Sequence, residues 1–184
     1  MNEPRRALEK GLPFYADQML GYAAMPTPAS PPPVCHDDVA HAVNAALRIL
    51  TCREHSILEL YKKLILKFTD KASKEAIKKC IENNWQSQER YMQMLFEHLV
   101  NQCYGPRKIA LEASKKGVKA QYYQEMMDST DFVEVAVKFL AKKIDPSVDL
   151  SFEDKQKILA SLARRGFSNS MCMEALNTYL SNLD

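Results

Sequence analysis

The sequence of 184 residues contains only five glycines, and seven of its nine prolines lie before residue 34. Glycine and proline are the residues that most often mark turns and interrupt helices. Their scarcity after residue 34 therefore favours helices that are joined by short connections. Three of the glycines, Gly105, Gly117 and Gly166, lie where predicted helices begin or end. We therefore predict an all-α fold.

The five cysteines form no C-x-x-C pair, and no export signal opens the chain. An odd number of cysteines in such a chain indicates reduced thiols in the cytoplasm. No apolar run approaches the roughly 20 residues that a membrane-crossing helix needs. The sequence thus predicts a cytoplasmic protein without a membrane span. We expect four cysteines to act as small apolar fillers in or beside helices: Cys52, Cys80, Cys103 and Cys172.

Motifs of catalysis and cofactor binding are also missing. The sequence has no Gly-rich phosphate loop, no serine in a G-x-S-x-G elbow and no cysteine with a base partner. His36 and His41 are five residues apart, whereas side chains that share one helical face stand three or four apart. We predict that the protein is not an enzyme and holds no metal or cofactor. The net charge of +2 creates no global attraction to nucleic acid, although local basic clusters could.

The N-terminal segment differs from the rest of the chain in composition. It contains most of the prolines and ends in Pro31-Pro32-Pro33. A Pro-rich chain favours extended conformations and buries little surface. We predict a disordered arm over residues 1–36 and a folded part that begins near His36.

Residues 104–118 carry the signals of a short helix of about three turns. Pro106 suits the first helical position, where its missing N–H has no intrahelical partner. Lys115 and Lys116 place positive charge on the last turn, where the helix dipole favours it. Gly117 suits the left-handed residue that ends many helices. Gly105, before the proline, is expected to permit a sharp turn.

The end of this helix recurs 49 residues later in the sequence. Residues 109–118 and 158–167 share an initial Ile, two basic residues, a Gly and a closing apolar residue. A fainter copy at residues 60–68 lacks the Gly after its basic residue. Recurrence at this period predicts tandem units. We divide the folded part into three three-helix repeats, over residues 37–85, 86–129 and 130–184.

Local signals predict where individual helices begin. Ser56 and Glu59 form a capping box, in which the Ser oxygen and the Glu carboxylate each satisfy a free N–H. Ser151 and Ser168 are expected to open two further helices. Trp85 lies at the seam between the first two units, where a packing anchor is the favoured role and a partner hot spot the alternative.

Basic residues recur near the ends of the middle helices. A solvated face that complements helix dipoles explains single residues of this kind. Their recurrence at equivalent positions favours a surface that meets phosphates or an acidic protein, and we expect Lys115, Lys116, Arg164 and Arg165 to be exposed. A helix-turn-helix reader is disfavoured, because the following helices lack the Arg and Lys of a major-groove reader. The candidate partner-binding residues are Lys62, Lys63, Lys67, Arg107, Lys108, Lys115, Lys116, Arg164 and Arg165.

Three motifs stand out: Arg48-Ile49-Leu50 followed by Arg53-Glu54-His55-Ser56-x-x-Glu59-Leu60-x-x-Lys63-Leu64, Tyr104-Gly105-Pro106-Arg107-Lys108-Ile109 with Lys116-Gly117-Val118, and Arg165-Gly166-Phe167. Together they resemble the signatures of the RecX regulators of bacterial recombination. The resemblance covers about residues 38–180 and implies three tandem three-helix repeats that form an elongated curved rod. It also implies binding in the groove of the RecA recombinase filament, with restraint of ATP hydrolysis and strand exchange.

Two features depart from the pattern of that family. The segment Asn84-Trp85-Gln86-Ser87-Gln88 stands where the family usually has Gly, an aromatic or Leu, and an acidic pair. Ala113 replaces a usual Leu in the middle helix of the second unit. We interpret the chain as a monomeric, non-enzymatic modulator of the RecA filament. The alternative is a protein that binds DNA directly through phosphate contacts.

Overall fold

The computed structural model describes residues 37–145 and 150–182. These residues form nine α-helices and one 3₁₀ turn, and no β-strand occurs among them. The all-α prediction is therefore confirmed. The predicted Pro-rich arm over residues 1–36 lies outside the described residues.

The helices follow one another in three groups of three. The third helix of the second group is short: it has only six residues and no side-chain cap, and a 3₁₀ turn at Ala120–Tyr122 precedes it. The unit boundaries and the curved-rod outline stay predictions. The helices are α1 Val39–Leu50, α2 Ile57–Leu64, α3 Asp70–Glu82, α4 Gln88–Asn101, α5 Pro106–Lys115, α6 Gln124–Ser129, α7 Phe132–Lys143, α8 Phe152–Arg164 and α9 Asn169–Ser181.

Side-chain oxygens cap seven of the nine helices in the described part of the chain. Each accepts a hydrogen bond from an N–H of the first turn, which otherwise has no intrahelical partner. The caps predicted at Ser56, Ser151 and Ser168 are confirmed. The capping box is only half right. Ser56 Oγ accepts from the N–H of Glu59 at 3.1 Å, but the Glu59 carboxylate binds Arg53 and Lys116 instead.

Apolar side chains bury into two separate clusters. One lies among α1, α2 and α3, and the other extends continuously from α4 to α9. Phe96 and Phe132 meet edge to face in the larger cluster, with ring centroids 6.4 Å apart, so the second and third helical groups share one core. Ala113, the residue that stands in place of a usual Leu, is fully buried there. Cys80, Cys103 and Cys172 are buried fillers as predicted.

Cys52 departs from that prediction because it is exposed. It follows the end of α1, where its thiol lies 3.6 Å from the carbonyl oxygen of Arg48 and packs against no core.

Gly117 and Gly166 both have positive φ, at 69° and 93°, which confirms their role as left-handed helix terminators. Asn84, which lies at the predicted end of the first unit, is also left-handed with φ of 57°. Gly105 differs from the expectation of a sharp turn, since its φ of −85° is open to any residue. A Cβ atom at Gly105 would lie 2.6 Å from the carbonyl carbon of Gly166. Gly105 is therefore required by the close approach of two backbones.

That approach joins the start of α5 to the end of α8. The N–H of Gly105 donates to the carbonyl of Arg165 at 2.9 Å, and the N–H of Arg107 donates to the carbonyl of Gly166 at 3.1 Å. On the α8 side of the contact, a Cβ atom at Gly166 would lie 2.4 Å from the backbone nitrogen of Lys108. The second and third sequence motifs thus form one junction.

We predict that Gly105→Ala lowers the free energy of unfolding by about 1–3 kcal/mol, the usual range for overpacking. The added methyl group meets backbone atoms, which cannot move aside as a flexible side chain can. Urea denaturation measures the change, with Ser114→Ala on the exposed face of α5 as the control. Wild-type stability in Gly105→Ala would show that the two backbones are not in close contact.

Candidate functional site

The first junction joins the start of α2 to the turn between α3 and α4. Gln86 Nε2 donates to the carbonyl of His55 at 3.1 Å, and the N–H of Ile57 donates to Gln88 Oε1 at 3.1 Å. Both glutamine side chains are buried. They satisfy backbone groups that burial would otherwise leave without a partner. The sequence around these glutamines does not indicate this role, because the backbone groups that they bind lie 31 residues away in the chain.

Arg90 fixes the same turn from the first part of α4. Its guanidinium donates to Glu54 Oε1 at 2.7 Å, to Asn84 Oδ1 at 2.9 Å and to the carbonyls of Asn84 and Trp85 at 3.2 and 3.1 Å. The turn is thereby closed around one planar side chain. Trp85 itself is 43% exposed, so the prediction of a packing anchor was wrong and the buried glutamines fill the seam.

Glu59 of α2 connects this junction to the end of α5. Its carboxylate binds Lys116 Nζ at 2.7 Å and Arg53 at 3.2 Å. Burial of the carboxylate acts to raise its pKa, but the hydrogen bonds from Lys116 and Arg53 outweigh it and lower the pKa to about 2. Glu59 is therefore ionised at neutral pH. The bond to Lys116 holds two residues that are 57 positions apart in the sequence.

His55 is buried beside this ion pair. Burial lowers its pKa, so the neutral imidazole donates through Nδ1 to the carbonyl of Arg53 at 2.9 Å and accepts through Nε2 from Lys63 at 2.7 Å. Lys63, a predicted partner-binding residue, is thus engaged within the first helical group. The first motif forms a closed polar network at the entry to α2.

Arg165 has the equivalent role at the second junction, which joins the start of α5 to the end of α8. Its guanidinium donates to the carbonyl of Gln102 at 2.7 Å and lies 3.4 Å from the carbonyl oxygen of Cys103. It thus provides a hydrogen-bond donor for the carbonyl groups at the end of α4. The same group lies over the rings of Tyr104 and Phe139, 5.0 and 4.2 Å from their centroids. Cations over aromatic rings are attracted by the ring quadrupole. Arg165 therefore ties the third helical group to the second, as Lys116 ties the second to the first.

The expectation that both residues of each basic pair are exposed was wrong for the second member. Lys116 and Arg165 are half-buried and bound to groups of the preceding helices. Lys115 and Arg164, the first members, are exposed. Lys115 forms a surface ion pair with Glu112 at 2.9 Å, and such pairs contribute little to stability.

The remaining candidate residues divide in the same way. Lys108 pairs with Glu112 at 3.2 Å and lies 5.8 Å from the ring centroid of Tyr104. Three others are exposed and form no ion pair with any other described residue: Lys62, Lys67 and Arg107. Arg164 shares this state. Within residues 37–145 and 150–182, a set of exposed cations on or just after α2 and on α5 and α8 is therefore without an ion-pair partner.

Other kinds of site were sought in the described ranges. Residues 37–145 and 150–182 contain no group of three or more side chains that could hold a metal ion. None of the helices just described is both long and apolar enough to cross a membrane.

Comparison with known proteins shows similarity over most of the chain. A model of the third three-helix domain of RecX matches residues 130–176. The regulatory protein RecX of Legionella pneumophila (strain Corby) is 32% identical over 133 residues, which cover 71% of this chain and 89% of that protein. The regulatory protein RecX of Haemophilus ducreyi is 34% identical over 131 residues, which cover 70% and 85%. The crystal structure of RecX from Lactobacillus salivarius has a TM-score of 0.66 and 26% identity, and covers 78% of this chain and 97% of that one.

We predict that the contribution of Glu59 to stability depends on pH. Its pKa is lower in the folded protein than its ordinary value of 4.5, so the ionised carboxylate stabilises the fold above that value and loses this effect as the pH falls toward 2. The free energy of unfolding of wild type should exceed that of Glu59→Gln most above about pH 5, with the difference shrinking from about pH 5 to about pH 2.

Urea denaturation at several pH values measures this difference. Glu134→Gln is the control, because Glu134 pairs with Lys138 on an exposed face of α7 and such pairs contribute little. A wild-type advantage over Glu59→Gln that stays constant down to pH 2.5 or so would contradict the assigned role of the Lys116–Glu59 bond.

Proposed function

Because this chain belongs to the RecX family of regulatory proteins, we propose that it binds the RecA recombinase filament and restrains its ATPase and strand-exchange activities. In this role it modulates recombination and DNA repair in the cytoplasm, as a monomer and without chemistry of its own. The observation that carries the proposal is the set of exposed cations on or near α2, α5 and α8 that form no ion pair in the part of the chain that the structure describes. They include Lys62, Arg107 and Arg164.

Tandem construction suits a filament as the partner. A chain of similar units presents similar surfaces at regular intervals, and a filament presents similar sites at regular intervals. Several weak contacts made by one chain reinforce each other, because the first raises the effective concentration for the next. A ligand of this kind stabilises whichever filament state it fits better. Restraint of ATP hydrolysis then follows from a shift between filament states.

Direct binding to DNA is the second candidate. An open cavity of about 610 Å³ beside α1 is lined by His41, Asn44, Arg48 and Lys67 together with two apolar side chains. Donors and cations of this type bind phosphate oxygens. This surface lies on the first helical group, away from the junctions.

Binding to bare DNA and to RecA–DNA filaments at two salt concentrations separates the two candidates. Contacts to phosphates release counterions, so a DNA binder loses affinity for bare DNA steeply as salt rises. A filament binder requires the recombinase. Tight binding to bare DNA with no gain from RecA would contradict the proposed function.

We predict that charge reversal of the exposed cations weakens restraint of the RecA ATPase. The variant carries Glu at positions 62, 107, 115 and 164, and it should need roughly tenfold more protein for half-maximal restraint, since charges across an interface speed association and set register. Circular dichroism should show a folded protein, because none of these four side chains holds a junction; Arg107 contributes there through its backbone N–H, which the substitution retains.

A matched control carries Glu at four other exposed lysines, Lys71, Lys78, Lys79 and Lys138, and so has the same net charge. It should restrain hydrolysis as wild type does. Equal weakening in both variants would mean that net charge alone, and no particular surface, governs binding.

A further inference from the structure

Two positions on or just after each middle helix (α2, α5 and α8) carry one basic and one apolar residue. At the spacing of 49 residues, Lys62 of α2 corresponds to Leu111 of α5, and Leu66, just after the end of α2, corresponds to Lys115 of α5. The corresponding residues of α8 are Ala160 and Arg164. Each helical group thus offers one basic and one apolar residue, and the two are four positions apart. Within α5 and α8, residues at this spacing lie on one helical face, whereas Leu66 lies in the turn that follows α2.

All six of these residues are exposed. Leu66 is 67% exposed and Leu111 is 50% exposed, which sets them apart from the leucines that fill the core. A single exposed leucine needs no explanation. Here each of two exposed leucines lies four positions from an exposed lysine, with the basic and apolar residues in exchanged order on the first and second groups. Exposed apolar groups that are rimmed by charges are typical of surfaces that bind protein partners.

The junctions place the three pairs in sequence along the molecule. The end of α5 reaches the first turns of α2 through the bond between Lys116 and Glu59 at 2.7 Å. The end of α8 reaches the start of α5 through the bond from the N–H of Gly105 to the carbonyl of Arg165 at 2.9 Å. The middle helices therefore follow each other end to start. Their basic–apolar pairs recur once per helical group along this line.

The two members of the basic pair at the end of α5 and of α8 therefore have different roles. The second member, Lys116 or Arg165, is bound within the protein. The first member, Lys115 or Arg164, belongs to the exposed pattern. In the first group the corresponding positions are occupied by Leu66 and Lys67, and Lys67 is exposed and forms no ion pair with another described residue.

We propose that this basic–apolar row, formed by Lys62, Leu66, Leu111, Lys115, Ala160 and Arg164, is the surface that docks on the protein component of the filament. The row fits an acidic protein surface that also carries apolar side chains. A phosphate backbone would satisfy the cations but would offer the leucines no apolar contact. This inference rests on the proposed function and names the part of the filament that the row meets.

The test replaces both leucines with glutamine and leaves every cation in place. Leu66→Gln/Leu111→Gln should bind RecA–DNA filaments roughly tenfold more weakly than wild type, because buried apolar anchors carry much of the affinity of protein interfaces. Its binding to bare DNA should equal that of wild type. Met94→Gln/Met173→Gln is the matched control, since these methionines are also exposed but lie on α4 and α9. It should bind filaments as wild type does.

The outcomes separate this inference from the function on which it rests. Wild type that binds filaments while the leucine variant binds them equally well overturns the row and leaves the function standing. Weakening of the leucine variant on bare DNA to the same degree overturns the assignment to a protein surface. Wild type that binds no filament at all overturns both proposals. Exposed leucines contribute little to folding, so circular dichroism should show both variants folded.

Discussion

The contact between the end of one middle helix and the start of the preceding one is the constraint on which the rest of this structure depends. At the second junction it requires two glycines, because the backbones at Gly105 and Gly166 approach more closely than any side chain permits. Between α5 and α2 the contact is made by an ion pair, which joins Lys116 at the end of α5 to the half-buried Glu59 of α2. Tandem units gain their stability from interfaces of this kind between neighbours.

These contacts also decide which charges are available to a partner. A basic residue that satisfies carbonyl groups or a buried carboxylate is already bound, and its removal would destabilise the junction. A basic residue one position earlier points away from the junction and keeps its charge exposed. The family similarity implies a regulatory protein. The exposed cations of the middle helices, with Leu66 and Leu111, are the part of the structure that supports the proposed binding role.

Local features of this structure could be predicted from the sequence, and contacts between distant residues could not. Helix caps at Ser56, Ser151 and Ser168 and the left-handed glycines depend on neighbouring residues, so a short motif is enough to identify them. The partner of Glu59 lies 57 residues away, and the capping-box motif suggested a local partner instead. Gln86 and Gln88 are buried because of backbone groups that only the folded chain brings near.

Exposure was the property that sequence reasoning predicted least well. Trp85 was expected to pack at a seam, yet Arg90 closes that turn and leaves the indole partly in solvent. Lys116 and Arg165 look like ordinary surface residues in the sequence, but long side chains can reach back across a junction and bury their stems. The amino-acid sequence alone shows that a basic pair recurs at the ends of α5 and α8. Which member of the pair binds inward depends on helix geometry that the pattern does not contain.

Site-specific photo-cross-linking tests the central claim most directly. A photoreactive amino acid in place of Leu111 would be activated in the complex with RecA–DNA filaments, with the same group in place of Met173 as the control. If α5 faces the protein part of the filament, position 111 should cross-link to RecA and position 173 should not. Cross-links from position 111 to DNA alone, or equal cross-linking to RecA from both positions, would contradict the account.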